Sequence, residues 1–154
     1  MRIQRTFPLI VFLSLILAGC DFSSMMIHEA ESPYGHEETI AAIKQNAAEL
    51  GWKVPKEYDF QALLIKHNQP DPGRISVIKL CHPEIAARML AQDENKFVSA
   101  MMPCSIGVYE KQDGKTYVAS MNMKLMSKVM GSSVGPILNR VAENDAQILA
   151  FLKE

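Results

Sequence analysis

Two apolar, β-rich runs, Ser105 to Lys111 and Lys115 to Met121, flank the triplet Gln112-Asp113-Gly114. An Asp-Gly pair between such runs reads as a hairpin turn, because glycine takes the positive φ that the turn needs at no steric cost. The hairpin makes two sheet neighbours antiparallel. Arg74 to Leu80, rich in β-branched residues and set off by the breaker cluster Gln69-Pro70-Asp71-Pro72-Gly73, reads as another strand. Met25 to Glu31 reads as a candidate strand, and Trp52-Lys53-Val54-Pro55 as an extended exit from a helix.

Helical spacing accounts for much of the rest. Ile40, Ile43, Ala47 and Leu50 recur on one helical face, Glu37 and Glu38 suit the dipole of the first turn, and Gly51 closes the segment. Asp59 can cap a short helix presenting Phe60, Leu63, Leu64 and His67 on one side, with a strand competing for the same residues. Pro83 suits a first helical position, with Ile85 and Met89 facing inward. Met123 to Met130 reads as a short helix and Gly131 to Gly135 as a break. Pro136 then opens a last helix with the stripe Ile137, Leu138, Val141, Ile148, Leu149 and Leu152. The expected architecture is α+β, a mainly antiparallel sheet with helices packed on one face in two layers.

The amino terminus carries an address. Arg2 and Arg5 precede an apolar run, Phe7 to Leu17, that ends in Leu17-Ala18-Gly19-Cys20. A basic start, a short apolar segment and small residues before a cysteine read as a secretory signal, too short for the ~20 residues that span a bilayer. The Leu-Ala-Gly-Cys ending resembles a bacterial lipobox, which implies acylation of Cys20 and cleavage before it. The chain then divides into a signal peptide (1–19), a lipidated tether (20–24) and one domain (25–154). Acylation by several chains is sufficient for stable membrane anchoring. Asp21 resembles an inner-membrane retention signal of enteric-type lipoproteins, which places the domain on the periplasmic side of that membrane in such a host.

Cleavage removes two of the 16 basic residues and leaves 14 against 17 acidic ones, a net −3. With no Lys/Arg run, nucleic-acid binding is not expected.

The order of motifs resembles domain-of-unknown-function family 302, a bacterial family. The matching pieces are Gly51-Trp52, Leu80-Cys81-His82-Pro83-Glu84, Met101-Met102-Pro103-Cys104, Val108-Tyr109-Glu110, Asp113-Gly114-Lys115-Thr116-Tyr117 and Met121-Asn122. His82 stands where the family pattern has asparagine. The resemblance implies a compact α+β domain, sometimes a lipoprotein, with no agreed activity.

The residues suited to chemistry are Cys81, His82 and Cys104, since thiolate and imidazole ligate zinc or copper and cysteine can do redox work. No Cys-x-x-Cys or His-x-x-x-His spacing accompanies them, so a structural disulfide, buried thiols and a soft-metal or redox site all stay open. Antiparallel strands put Cys81 and Cys104 at the same end of the sheet, and export supplies an oxidant, so the bridge is the expected state. Met123, Met126 and Met130 share a helical face that could hold Cu(I), and packing is the plainer use of it. No catalytic residue, nucleophile elbow or zinc helix is recognised, and no cofactor is expected. The resulting expectation is a membrane-anchored envelope lipoprotein that binds a small ligand, an envelope protein or a second copy of itself without catalysis, with a copper or thiol-redox protein as the alternative.

Overall fold

The structure, a computed structural model, describes residues 22–152; the leader, Cys20 and Asp21 lie outside the described residues. A short helix α1 (Phe22–Met26) leads into strand β1 (Ile27–Glu31), followed by helix α2 (His36–Glu49), strand β2 (Lys53–Asp59) and helix α3 (Phe60–Lys66). Strand β3 (Ile75–Cys81), helix α4 (Pro83–Leu90), a 3-10 helix (Asp93–Met101) and the hairpin β4 (Cys104–Glu110) and β5 (Thr116–Met121) come next. Helices α5 (Met123–Val129) and α6 (Gly131–Ile148) close the domain. The five strands form one antiparallel sheet in the order β1-β5-β4-β3-β2. The α+β architecture read from the sequence is the one observed.

Strand alternation decides which face is buried. Ser76, Ile78 and Leu80 of β3, Ile106 and Val108 of β4, and Thr116, Val118 and Ser120 of β5 all point inward, while the residues between them are half-buried or exposed. Against this face pack Ile40, Ile43 and Ala47 of α2, Ile85 and Met89 of α4, and Val134, Leu138, Val141 and Ile148 of α6. Burying each large aliphatic chain contributes roughly 1.5–3 kcal/mol, which makes this inner layer the main source of stability. Helix α2 ends in a left-handed turn: Gly51 has φ +80°, its N–H donates to Ala48 O at 3.0 Å, and Trp52 N–H donates to Ala47 O at 2.9 Å. That turn drops Trp52 into the core.

Four expectations change. Met25 and Met26 belong to α1, and the first strand starts only at Ile27. The supposed exit after Trp52 is a full strand, β2; as an exposed edge strand with a register irregularity around Pro55, it lacks the alternation that would have revealed it. The break expected over 131–135 is confined to Met130 and Gly131 (φ +78°), since α6 begins at Gly131 and not at Pro136, which it carries inside it. Val134 and Gly135 are buried there, and a Cβ on Gly135 would lie 2.4 Å from Ser127 O, so close packing of α6 on α5 overrides local propensity. The expected Cys81–Cys104 disulfide is not formed, and both thiols are free. Their strands are indeed antiparallel neighbours, but Cys104 lies opposite Leu80. Cys81 therefore lies one position beyond the residue that faces Cys104 across the ladder.

Candidate functional site

All the sequence candidates that the structure describes gather at one end of the sheet. Cys81 ends β3, His82 is the residue before Pro83 at the start of α4, and Cys104 begins β4 after the cis Met102–Pro103 peptide. Together with Trp52, Met89, Met101, Met102 and Met123 they line an apolar cavity of about 40 Å³. The cavity exceeds the ~10–15 Å³ that a single water requires, while its lining offers almost nothing for water to bond to.

His82 supplies the polar exception. Its ring meets Trp52 edge-on at a centroid distance of 5.6 Å, and Nε2 sits where a Cβ on Gly51 would be 3.3 Å away. Its Nδ1 is buried with no hydrogen-bond partner. A buried polar atom left unpaired typically costs about 1–3 kcal/mol, so a ligand atom that bonded Nδ1 would recover part of that cost. Although His82 occupies the cap position of α4, its side chain makes no capping hydrogen bond.

The electrostatics of this interior favour neutral groups. Burial pushes the Cys104 thiol up to about 11, with the Asp145 carboxylate and Cys81 adding to the effect. At neutral pH it is a thiol and not the thiolate that attacks or ligates. Asp145 of α6, absent from the sequence candidates, is raised to about 6 by burial, partly offset by Ser120 Oγ donating to Oδ2 at 3.1 Å and by nearby His28. One signal could have found it: Asp145 follows Val141 by four residues and precedes Ile148 by three, so it lies on the buried stripe of its helix. Asp145 and Ser120 also border a broad open groove of about 550 Å³ between β1 and α6.

Among the described residues, no three His, Cys, Asp or Glu side chains are arranged to hold a metal ion. Met123 is buried in the cavity wall, and Met126 and Met130 pack against the core from its margin. The site can therefore enclose a small, mostly apolar group that presents one hydrogen-bonding atom to His82.

Comparison with known proteins agrees with the fold. The family described as "Domain of unknown function DUF302" matches residues 28–152. An uncharacterised conserved DUF302 protein from Bacillus stearothermophilus, known from a crystal structure, superposes with a TM-score of 0.74 at 21% identity, over 84% of this chain and 99% of that one. No curated protein matches the sequence.

Proposed function

The chain belongs to the DUF302 family, a domain of unknown function, and from that premise we propose that it is a lipid-anchored binding or accessory protein of the bacterial cell envelope that acts without catalysis. The observation that carries this reading is the ending Leu17-Ala18-Gly19-Cys20 behind a basic, apolar leader. Among the described residues no helix is long and apolar enough to cross a membrane, so acylation of Cys20 would supply the attachment. The tether from Cys20 to the first strand is short, and it would hold the domain against the membrane on the periplasmic side.

A binding role suits the site better than chemistry does. The cavity is apolar, its one deep thiol is held protonated, and its one unpaired polar atom, His82 Nδ1, suits a hydrogen-bonding ligand. The copper or thiol-redox alternative draws no support from a group of three His, Cys, Asp or Glu side chains, since none is arranged to hold a metal among the described residues.

The test is mass spectrometry of the full chain expressed in a bacterium with lipoprotein processing. The expected product begins at Cys20, carries acyl chains and sediments with membranes, while Cys20→Ser remains unacylated with its leader uncut. An unacylated native chain, or acylation that persists in Cys20→Ser, overturns the anchor.

A further inference from the structure

Among the large apolar side chains exposed in this domain, the two most exposed are Val129 at 64% and Phe97 at 60%. They come from different elements, the end of α5 and the middle of the 3-10 helix, yet both elements sit at the same end of the sheet. Helix α5 follows β5 directly, and the 3-10 helix runs into the start of β4. Ser133 Oγ and Asn95 Oδ1, 3.0 Å apart, join the 3-10 helix to the first turn of α6, just beyond Val129.

The chain enters the domain at this same end. Ile27, the first residue of β1, lies opposite Met121, the last of β5. Asn122 then fastens the entry to α5: its N–H donates to Met26 O at 2.8 Å, its Nδ2 donates to Met25 O at 2.9 Å, and its Oδ1 caps α5 by accepting from Leu125 N–H at 2.9 Å. Met25 and Ile27 are themselves exposed apolar residues, at 48% and 42%. Helix α5 adds Lys124 and Lys128 and carries no acidic residue. The 3-10 helix contributes Phe97 and a net negative charge at its first turn, since its Lys96 is paired with Asp93 and the exposed Glu94 has no ion-pair partner among the described residues.

We infer that this end of the domain, formed by α1, α5 and the 3-10 helix, is a membrane-facing surface. Phe97 and Val129 enter the interfacial zone of the bilayer, and Lys124 and Lys128 lie at the level of anionic headgroups. The inference rests on the Cys20 anchor proposed above, because that anchor puts the bilayer two residues before Phe22. Isolated exposed apolar residues need no explanation. Here they cluster beside the point of attachment and next to the two lysines of α5, a helix with no acidic residue of its own, the combination that suits an interfacial surface. A bilayer is thus the occupant favoured over a protein partner or a second copy.

The experiment uses the full, processed protein reconstituted in phosphatidylcholine–phosphatidylglycerol vesicles containing lipids brominated near the headgroup end of their acyl chains. Phe97→Trp, Val129→Trp and, as a far-end control, Tyr58→Trp are made singly. Trp52, the only native tryptophan, is kept as the baseline and as a check on folding. The emission added at position 97 and at position 129 should be quenched about threefold or more over that added at position 58. Introducing Lys124→Glu and Lys128→Glu into the Val129→Trp variant should reduce the quenching of its added emission in anionic vesicles and leave it unchanged in pure phosphatidylcholine. Mass spectrometry of each sample counts the acyl chains, so a missing anchor is read separately from a misplaced surface. Acylated Phe97→Trp and Val129→Trp proteins whose added emission is quenched no more than that of Tyr58→Trp, or becomes shielded only as protein concentration rises, overturn the inference.

Discussion

Around the turn at 112–114, the outer face of the sheet draws its carboxylates toward the charged state. Glu29 is held below its ordinary range first by the Lys111 ammonium and then by the Tyr109 hydroxyl, and Asp113 first by the Lys115 backbone N–H and then by the Tyr117 hydroxyl. Across the sheet, the layer beneath the helices does the opposite: Asp145 and Cys104 are pushed by burial toward their neutral forms. The same sheet thus presents one solvated face that tolerates ions and one interior that rejects them. A ligand for the cavity, on the binding role proposed above, would accordingly be neutral where it touched the wall, and its specificity would rest on shape and on His82.

Aromatic truncation gives the largest expected separation of the two faces. Trp52 is buried, contacts His82 and donates from Nε1 to Asn144 Oδ1 at 3.4 Å. Trp52→Ala should cost about 3–5 kcal/mol in urea unfolding. Tyr117 lies directly opposite Tyr109 on the outer face, with ring centroids 6.3 Å apart, and cross-strand pairs of this kind are worth about 0.2–1 kcal/mol. Tyr117→Ala should therefore cost several-fold less, and similar losses for the two variants would break the comparison.

Asp145 comes next, through pH. A carboxyl whose folded value is raised binds its proton more tightly folded than unfolded. Its contribution is complete below the ordinary value of 3.8 and is lost as pH rises toward about 6. Over that window the loss is at most roughly 3 kcal/mol, at about 1.36 kcal/mol per unit. Asp145→Asn should flatten the fall in urea midpoint between pH 4 and pH 6 and gain stability at pH 7. A variant that retains the slope would assign it to other groups.

How far the sequence foretold this molecule varies with how local the cause is. The 105–121 hairpin, the Asp59 cap on α3, whose Oδ1 accepts from Ala62 N–H at 2.9 Å, and the Gly51 stop were all readable, because each is fixed by a few adjacent residues. Strand β2 was not, since its side chains are mostly exposed and its pairing with β3 is decided by the sheet. The start of α6 was hidden because its backbone contact with α5 is tertiary. At the site, Cys81, His82 and Cys104 could be named from residue type, and their shared cavity required the fold. The one-residue offset that pairs Cys104 with Leu80 rather than with Cys81 is a matter of register, which no composition or spacing reveals.

A smaller effect compares two glycines with nearly the same backbone. Gly51 has φ +80° and Gly114 φ +75°, so an added methyl strains both by about 1–2 kcal/mol. A Cβ on Gly114 meets nothing within 4 Å, whereas one on Gly51 presses on His82. Gly51→Ala should lose more stability than Gly114→Ala by several tenths to about 1 kcal/mol, the contact being tight but not overlapping. Only the Gly51 variant should move the His82 ring resonances. Equal losses with an unmoved His82 would mean that the corner yields freely and does not fix the imidazole against the cavity.

The smallest effect belongs to the outer face, and it sharpens the comparison by its sign. Tyr109 Oη donates to Glu29 Oε1, and Lys111 Nζ lies 2.7 Å from Glu29 Oε2 and 3.9 Å from the centre of the Tyr117 ring. These groups are largely solvated, so the hydrogen bond removed in Tyr109→Phe is worth less than about 1 kcal/mol once screening is counted. Because the folded value of Glu29 is lowered, the stability it contributes is present at neutral pH and is lost as pH falls below its ordinary 4.5. Tyr109→Phe removes one of the two hydrogen bonds that hold Glu29 down, so the variant should differ from the parent at pH 7 and converge with it in acid. Asp145→Asn differs most near pH 7 for the opposite reason, since there the parent carries a buried charge that the variant lacks. Salt separates the outer-face contributions: the share due to Lys111 shrinks as ionic strength rises, while the hydroxyl's share persists. Urea midpoints of parent and Tyr109→Phe at pH 3 and 7, each at low and high salt, measure both. A difference at pH 7 above about 2 kcal/mol would put this network on a par with the core, and the outer face could no longer be treated as a solvated surface.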